Sequence, residues 1–152
     1  MRKVVLLIIS LFFIIISFGC DNSKKRVLTC IGSNKGNNMN AYAIVKYNFE
    51  GEKLLSVDTD VTFKDITVDN LSAVWNEFKE QFNEQNFPVE ESGYKRTTKA
   101  DDKNYTFTVS INIDFEKISK ETREKYGVDD VSNSTYEEIK NKILEDNNFT
   151  CE

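Results

Sequence analysis

Residues 105–115 read Tyr105-Thr106-Phe107-Thr108-Val109-Ser110-Ile111-Asn112-Ile113-Asp114-Phe115, an unbroken alternation of apolar and polar side chains. A period of two places Tyr105, Phe107, Val109, Ile111, Ile113 and Phe115 on one face of an extended strand. Thr106, Thr108, Ser110, Asn112 and Asp114 fall on the other face. Such a strand belongs in an antiparallel sheet with one buried and one wet side. The neighbouring sequence supplies partners. Tyr94–Thr98 is a short strand joined to it through Asp101-Asp102-Lys103-Asn104, a turn. Ala43, Val45, Tyr47 and Phe49 alternate along a further strand, Glu50–Lys53 turns the chain, and Leu55, Val57, Thr59, Val61 and Phe63 alternate on the return. The reverse face of that return strand carries Ser56, Asp58, Asp60 and Thr62. Val27–Ile31 is a short strand leading into the Gly/Asn-rich loop Ser33–Asn40.

Between the strand pairs the period changes. Leu71, Val74, Trp75, Phe78 and Phe82 recur at three and four residues, which predicts an amphipathic helix of about 16 residues. Asp69 stands at its N-cap and Pro88 ends it. A Trp/Phe stripe of this kind suits a partner or a membrane, but it is more commonly the face that packs on a sheet. Ser119 caps a short helix that Gly127 stops in the left-handed conformation. Ser134 and Glu137 form a capping box before a last helix with Tyr136, Ile139, Ile143 and Leu144 on one face. The fold class expected is α+β: a twisted antiparallel sheet of four to five strands with helices packed on one face. It forms a single domain over residues 27–152.

The beginning of the chain is of another kind. Residues 4–18 are apolar except Ser10 and Ser17, follow Arg2 and Lys3, and are shorter than the roughly 20 residues a membrane-spanning helix needs. Ser17-Phe18-Gly19-Cys20 resembles a bacterial lipobox, with Ser17 where leucine is usual. The expected organisation is a lipoprotein signal peptide over residues 1–19, a lipidated Cys20 and tether over 20–26, then the domain. Two acyl chains on Cys20 would give stable anchoring on the extracytoplasmic face of the cell membrane, where one chain is marginal. Lys24, Lys25 and Arg26 beside the anchor are expected against anionic headgroups. Export also sets the redox setting, in which cysteines pair. With Cys20 lipidated, Cys30 and Cys151 remain and allow one disulfide.

Composition narrows the chemistry. The 152 residues hold no histidine, which excludes histidine-based triads, histidine metal sites and histidine pH switches. Twenty basic residues face 25 acidic ones, a net charge of −5. Arg2 and Lys3 leave with the signal peptide, so the remainder stands at −7. That balance argues against a nucleic-acid surface, which needs a basic patch.

The order of lipobox, strand hairpin, aromatic helix, strand hairpin and short C-terminal helices resembles the YehR-like family of small bacterial lipoproteins. The stretches that carry the resemblance are Tyr42–Phe63, with its Gly51 turn, and Tyr105–Ile118, ending in Asp114-Phe115-Glu116-Lys117. The resemblance implies no activity and carries over no functional residue beyond Cys20.

Sites for chemistry are few. Asp58 and Asp60 share a strand face within reach of Asp65 or Asp69, but no run has the spacing of a calcium loop, and no metal site or cofactor is expected. No Ser or Lys motif of a known nucleophile occurs, so no catalytic residue is assigned. The expected function is therefore a non-enzymatic binding module at the membrane surface, meeting an envelope or extracellular protein. Its candidate face is Ser56 and Asp58 beside Thr106, Thr108, Ser110 and Asn112. The alternative is a carrier of a small apolar ligand between sheet and helices, lined by Tyr105, Phe107, Trp75 and Phe78.

Overall fold

The computed structural model describes residues 24–67, 69, 71–81, 89–145 and 148–152. The expected signal peptide, Cys20 and the first residues of the tether lie outside them, as do Phe82 and Pro88. The strands are β1 (Lys25–Lys35), β2 (Asn40–Glu50), β3 (Lys53–Lys64), β4 (Val89–Glu91), β5 (Tyr94–Asp101), β6 (Thr106–Asp114) and β7 (Phe149–Cys151). The helices are α1 (Leu71–Gln81), α2 (Lys120–Tyr126), α3 (Asp129–Ser132) and α4 (Tyr136–Leu144). All seven strands form one antiparallel sheet in the order β4-β5-β6-β3-β2-β1-β7. Two meanders, β1-β2-β3 and β4-β5-β6, thus meet where β3 pairs with β6.

Seven strands replace the four to five expected. The additions are the two edges, β4 and β7, each three residues long and too short to show a period. The first strand is also longer than its apolar core. It starts at Lys25 rather than Val27, and Ser33–Lys35 continue it, paired with Asn40–Tyr42. Backbone pairing, not side-chain burial, holds these polar residues in the sheet. The decisive strand is shorter than its alternation: Tyr105 turns at φ 48° and β6 runs over Thr106–Asp114.

One face of the sheet carries the core. Leu28, Tyr47, Val57, Ile113 and Tyr94 form a row across five strands. Three clusters sit on that face. Leu28, Cys30, Phe49, Leu54 and Val57 pack with Ile139 of α4. Trp75 of α1 packs on Phe107 and Val109. Tyr94, Ile113 and Ile118 pack with Tyr126 of α2 and Val128. A bulge at Asn48/Phe49 changes the phase of the second hairpin, pairing Phe49 with Leu54. Leu54, 1% exposed, therefore takes the inward place that simple alternation gives to Leu55.

Local sequence explains the helix ends. Ser119 Oγ accepts the Thr122 amide at 3.1 Å, and Gly127 stops α2 at φ 66°. The capping box of α4 is Thr135 and Glu138, one residue later than expected. Thr135 N donates to Glu138 Oε2 at 2.8 Å and Glu138 N to Thr135 Oγ1 at 3.3 Å. Ser134 Oγ instead donates to the Asp130 carbonyl. Gly93 joins β4 to β5 at φ +76°, where an added Cβ would lie 2.2 Å from the Ile118 amide nitrogen.

The candidate binding surface

The outer face of the sheet faces away from all three core clusters. Its register follows from the inner row: Ile31, Ile44, Asp60, Ser110 and Thr97 lie in line, as do Asp58, Asn112 and Lys95. All six residues expected at a binding face lie here. Ser56 and Asp58 project from β3, and Thr106, Thr108, Ser110 and Asn112 from β6.

Five of the six are joined across strands. Asn112 Nδ2 donates to Asp58 Oδ1 at 2.6 Å, and Asn48 Nδ2 donates to Asp58 Oδ2 at 3.0 Å and to Ser56 Oγ at 2.9 Å. Ser110 Oγ donates to Asp60, and the hydroxyls of Thr62 and Thr108 lie 3.2 Å apart. Thr106 stands apart at the turn, where its hydroxyl reaches the Asn104 carbonyl. Asn48 was missed by sequence reading, because nothing local to β2 reveals that it bridges two β3 side chains. The result is a ladder whose side chains are held in place by one another, an arrangement that fixes donors and acceptors before any partner arrives. A shallow depression of about 180 Å³ lies over it, bordered by Lys95 and Thr97 of β5.

Beside the ladder the face becomes aliphatic. Val27 is 52% exposed, Ile31 50% and Ile44 43%, with Ile31 and Ile44 directly paired. Tyr42 lies on the same side under Lys64, whose Nζ is 4.1 Å from the ring centre. The aliphatic side chains thus lie beside polar groups whose hydrogen bonds are made within the sheet.

Of the four aromatic residues expected to line a ligand cavity, Trp75 and Phe78 border one of about 170 Å³, and all four pack on one another. Trp75 stacks on Phe78 with centroids 6.1 Å apart and meets Tyr105 edge-on at 5.7 Å. Phe78 in turn meets Phe107 edge-on at 5.0 Å and Phe63 at 6.1 Å. These rings pack between α1 and the sheet. The Trp75 indole N–H donates to Asp102 Oδ1 at 2.7 Å, and Lys79 Nζ donates to the same oxygen at 2.6 Å. Those bonds, Lys79 first and Trp75 second, hold the Asp102 carboxyl below its ordinary pKa.

Cys30 and Cys151 are joined by a disulfide between directly paired residues of β1 and β7, with Cα atoms 4.1 Å apart. Arg26, expected in the tether, belongs to the folded domain. Its guanidinium lies 3.8 Å from the centre of the Tyr136 ring, and its Nη1 is 3.1 Å from Glu52 and its Nη2 3.9 Å from Glu137. Lys25 pairs across the strands with Glu50. The corner where the described chain begins is thus acidic as well as basic.

No protein-family model matches the chain, and no curated protein matches it. In fold it is similar to a protein from Streptococcus pneumoniae TIGR4 whose structure was determined by NMR. The TM-score is 0.54 at 10% identity, with 84% of this chain and 86% of that one covered. Likeness at that identity concerns the fold alone. Among the described residues, no helix is long and apolar enough to cross a membrane.

Proposed function

We propose that the protein is a bacterial lipoprotein similar to the YehR-like family, anchored through Cys20, whose domain is a non-enzymatic binding module. It meets an envelope or extracellular protein through the outer face of its sheet. The observation that carries this reading is the uncovered face itself, where a pre-formed polar ladder adjoins the strip of Val27, Ile31 and Ile44. Exposed aliphatic side chains that adjoin one another on a sheet face mark an interaction site when they form a contiguous patch.

Two results are expected. The wild-type chain expressed in a bacterial host carries the mass of a diacylated cysteine at Cys20, and Cys20→Ser abolishes both that mass and detergent-phase partitioning. An unmodified Cys20 in a protein that still partitions with detergent defeats the anchor. For the binding face, full-length protein immobilised in mild detergent is exposed to solubilised envelope. A saturable protein partner is expected on wild type and at least tenfold less on Asp58→Lys/Thr108→Lys, which removes two rungs of the ladder, one at exposed Asp58 and one at half-buried Thr108. Equal recovery on both places the contact elsewhere.

A further inference from the structure

One row of the outer sheet face changes character from strand to strand. Ile31 of β1, Ile44 of β2, Asp60 of β3, Ser110 of β6 and Thr97 of β5 stand side by side, each paired with the next. Neighbouring strands lie about 4.8 Å apart, so the exposed Asp60 carboxylate stands one strand from Ile44 and two from Ile31. Ser110 Oγ donates to Asp60 Oδ1, and among the described residues Oδ2 has no partner. Asp58, two residues earlier, is different. Asn112 and Asn48 occupy both its oxygens, and its row places Lys46 on one side and Asn112 then Lys95 on the other. Of the two, Asp60 is the open carboxylate, and it adjoins the aliphatic strip.

We infer that this row receives a long cationic side chain, lysine or arginine, from a basic segment of a protein partner. The inference rests on the proposed sheet-face contact and names the chemistry of what makes it. A partner that covers Ile31 and Ile44 also covers Asp60. A carboxylate taken out of water without a counter-charge costs far more than two aliphatic contacts return, so the partner has to bring a cation. Lysine and arginine carry one at the end of an apolar stem. With the stem on Ile44 and Ile31 and the head at Asp60 Oδ2, the row is satisfied along its length. Dispersion acts at one end and a charge-assisted hydrogen bond at the other. An unbranched apolar group of the same length would strand the carboxylate, and an acidic one would be repelled.

The cation has to come from outside the domain. Among the described residues no lysine or arginine forms an ion pair with Asp58 or Asp60. Of the residues outside them only Arg2 and Lys3 are basic, and both belong to the expected signal peptide. Charge also acts at longer range. The chain carries −5, or −7 once those two are removed, an excess that speeds encounter with a basic partner and slows it with an acidic one.

For the test, full-length protein in phosphatidylcholine vesicles, which carry no net charge, is titrated into the coumarin-labelled peptide Ala-Arg-Ala-Arg-Ala and anisotropy is followed. Saturable binding is expected, weakened by added salt. Replacing both arginines by norleucine or by glutamate should raise the half-saturating concentration at least fivefold. So should Asp60→Asn, which removes the charge and keeps the shape, and Ile44→Ser, which removes the seat of the stem. Glu121→Gln, an equal loss of charge at an exposed position of α2, should bind like wild type. Unshifted Trp75 emission in each variant shows that the fold persists. Unsaturable binding, or equal binding of the norleucine peptide, overturns the inference, as does an equal effect of Asp60→Asn and Glu121→Gln. Spermidine that displaces the peptide below the peptide's own half-saturating concentration makes a free polyamine the occupant and overturns a protein segment. In the envelope capture, Asp60→Asn should recover at least fivefold less partner than wild type. A partner kept by Asp60→Asn yet lost by Asp58→Lys/Thr108→Lys overturns the cationic side chain and leaves the sheet face standing. One kept by both overturns the sheet-face reading itself.

Discussion

Removing the Cys30–Cys151 bond, by reductant or as Cys30→Ser/Cys151→Ser, is expected to lower the unfolding free energy by as much as about 4–5 kcal/mol. The bond closes a loop with a sequence separation of 121 residues, so its main effect is on the unfolded chain, which loses most of its freedom to separate its ends. The native side of the argument points the same way. Strand β7 has three residues and pairs with β1 alone, held besides the disulfide by the mutual bonds of Thr29 and Glu152, each 2.9 Å. Phe149 lies on Gly32, where an added Cβ would come within 2.4 Å of its ring, so the strand has one snug seat but little area. Immediately before it, α4 lays Ile139 on the cluster of Leu28, Phe49 and Leu54. A chain free at Cys151 is expected to loosen α4 together with β7. Urea unfolding with and without reductant measures the effect, and the reduced protein should also show a larger dependence on urea because its unfolded state is more open. A difference below about 1 kcal/mol would mean that residual structure in the unfolded chain already holds its ends together.

The legibility of this fold followed the length of its patterns. Alternation over seven or more residues located β2, β3 and β6, since only an extended strand puts every second residue on one side. The edges β4 and β7 have three residues each, and three residues contain no period. The bulge at Asn48/Phe49 was hidden because Leu54 and Leu55 are equally apolar, and their assignment depends on the backbone phase of the partner strand. The α4 cap shows the same degeneracy. Ser134-Thr135 and Glu137-Glu138 offer two registers of one box, and Thr135 with Glu138 is the one formed. At the candidate face, the polar positions of β3 and β6 could be read singly. That Asp58 meets Asn112, and Asp60 meets Ser110, depends on the pairing of two meanders some 50 residues apart.

Trp75→Ala is expected to cost about 3–5 kcal/mol, the range for deleting a buried aromatic side chain. Trp75 is 2% exposed and is the only α1 side chain that is fully buried. It joins the helix to the sheet through Phe107 and Val109, touches Phe78 and Tyr105 with its ring, and reaches the β5–β6 turn through Asp102. Truncation leaves a void under α1 that neither Phe78 nor Tyr105 can fill without leaving its own contacts with the neighbouring rings. Trp75→Phe keeps much of the volume and loses the indole hydrogen bond, so it should fall well short of the alanine cost. Asp102→Asn should be milder still, because the amide oxygen can still accept from Trp75 and Lys79. The sign of its pH dependence is fixed by the lowered carboxyl pKa of Asp102. Its contribution is complete above the ordinary carboxylate range and disappears as the pH falls through the lower folded value, so wild type and Asp102→Asn converge in acid. Urea unfolding of the three variants at neutral pH tests the ranking. An alanine cost no greater than that of Trp75→Phe would show that α1 is held to the sheet by something other than the indole.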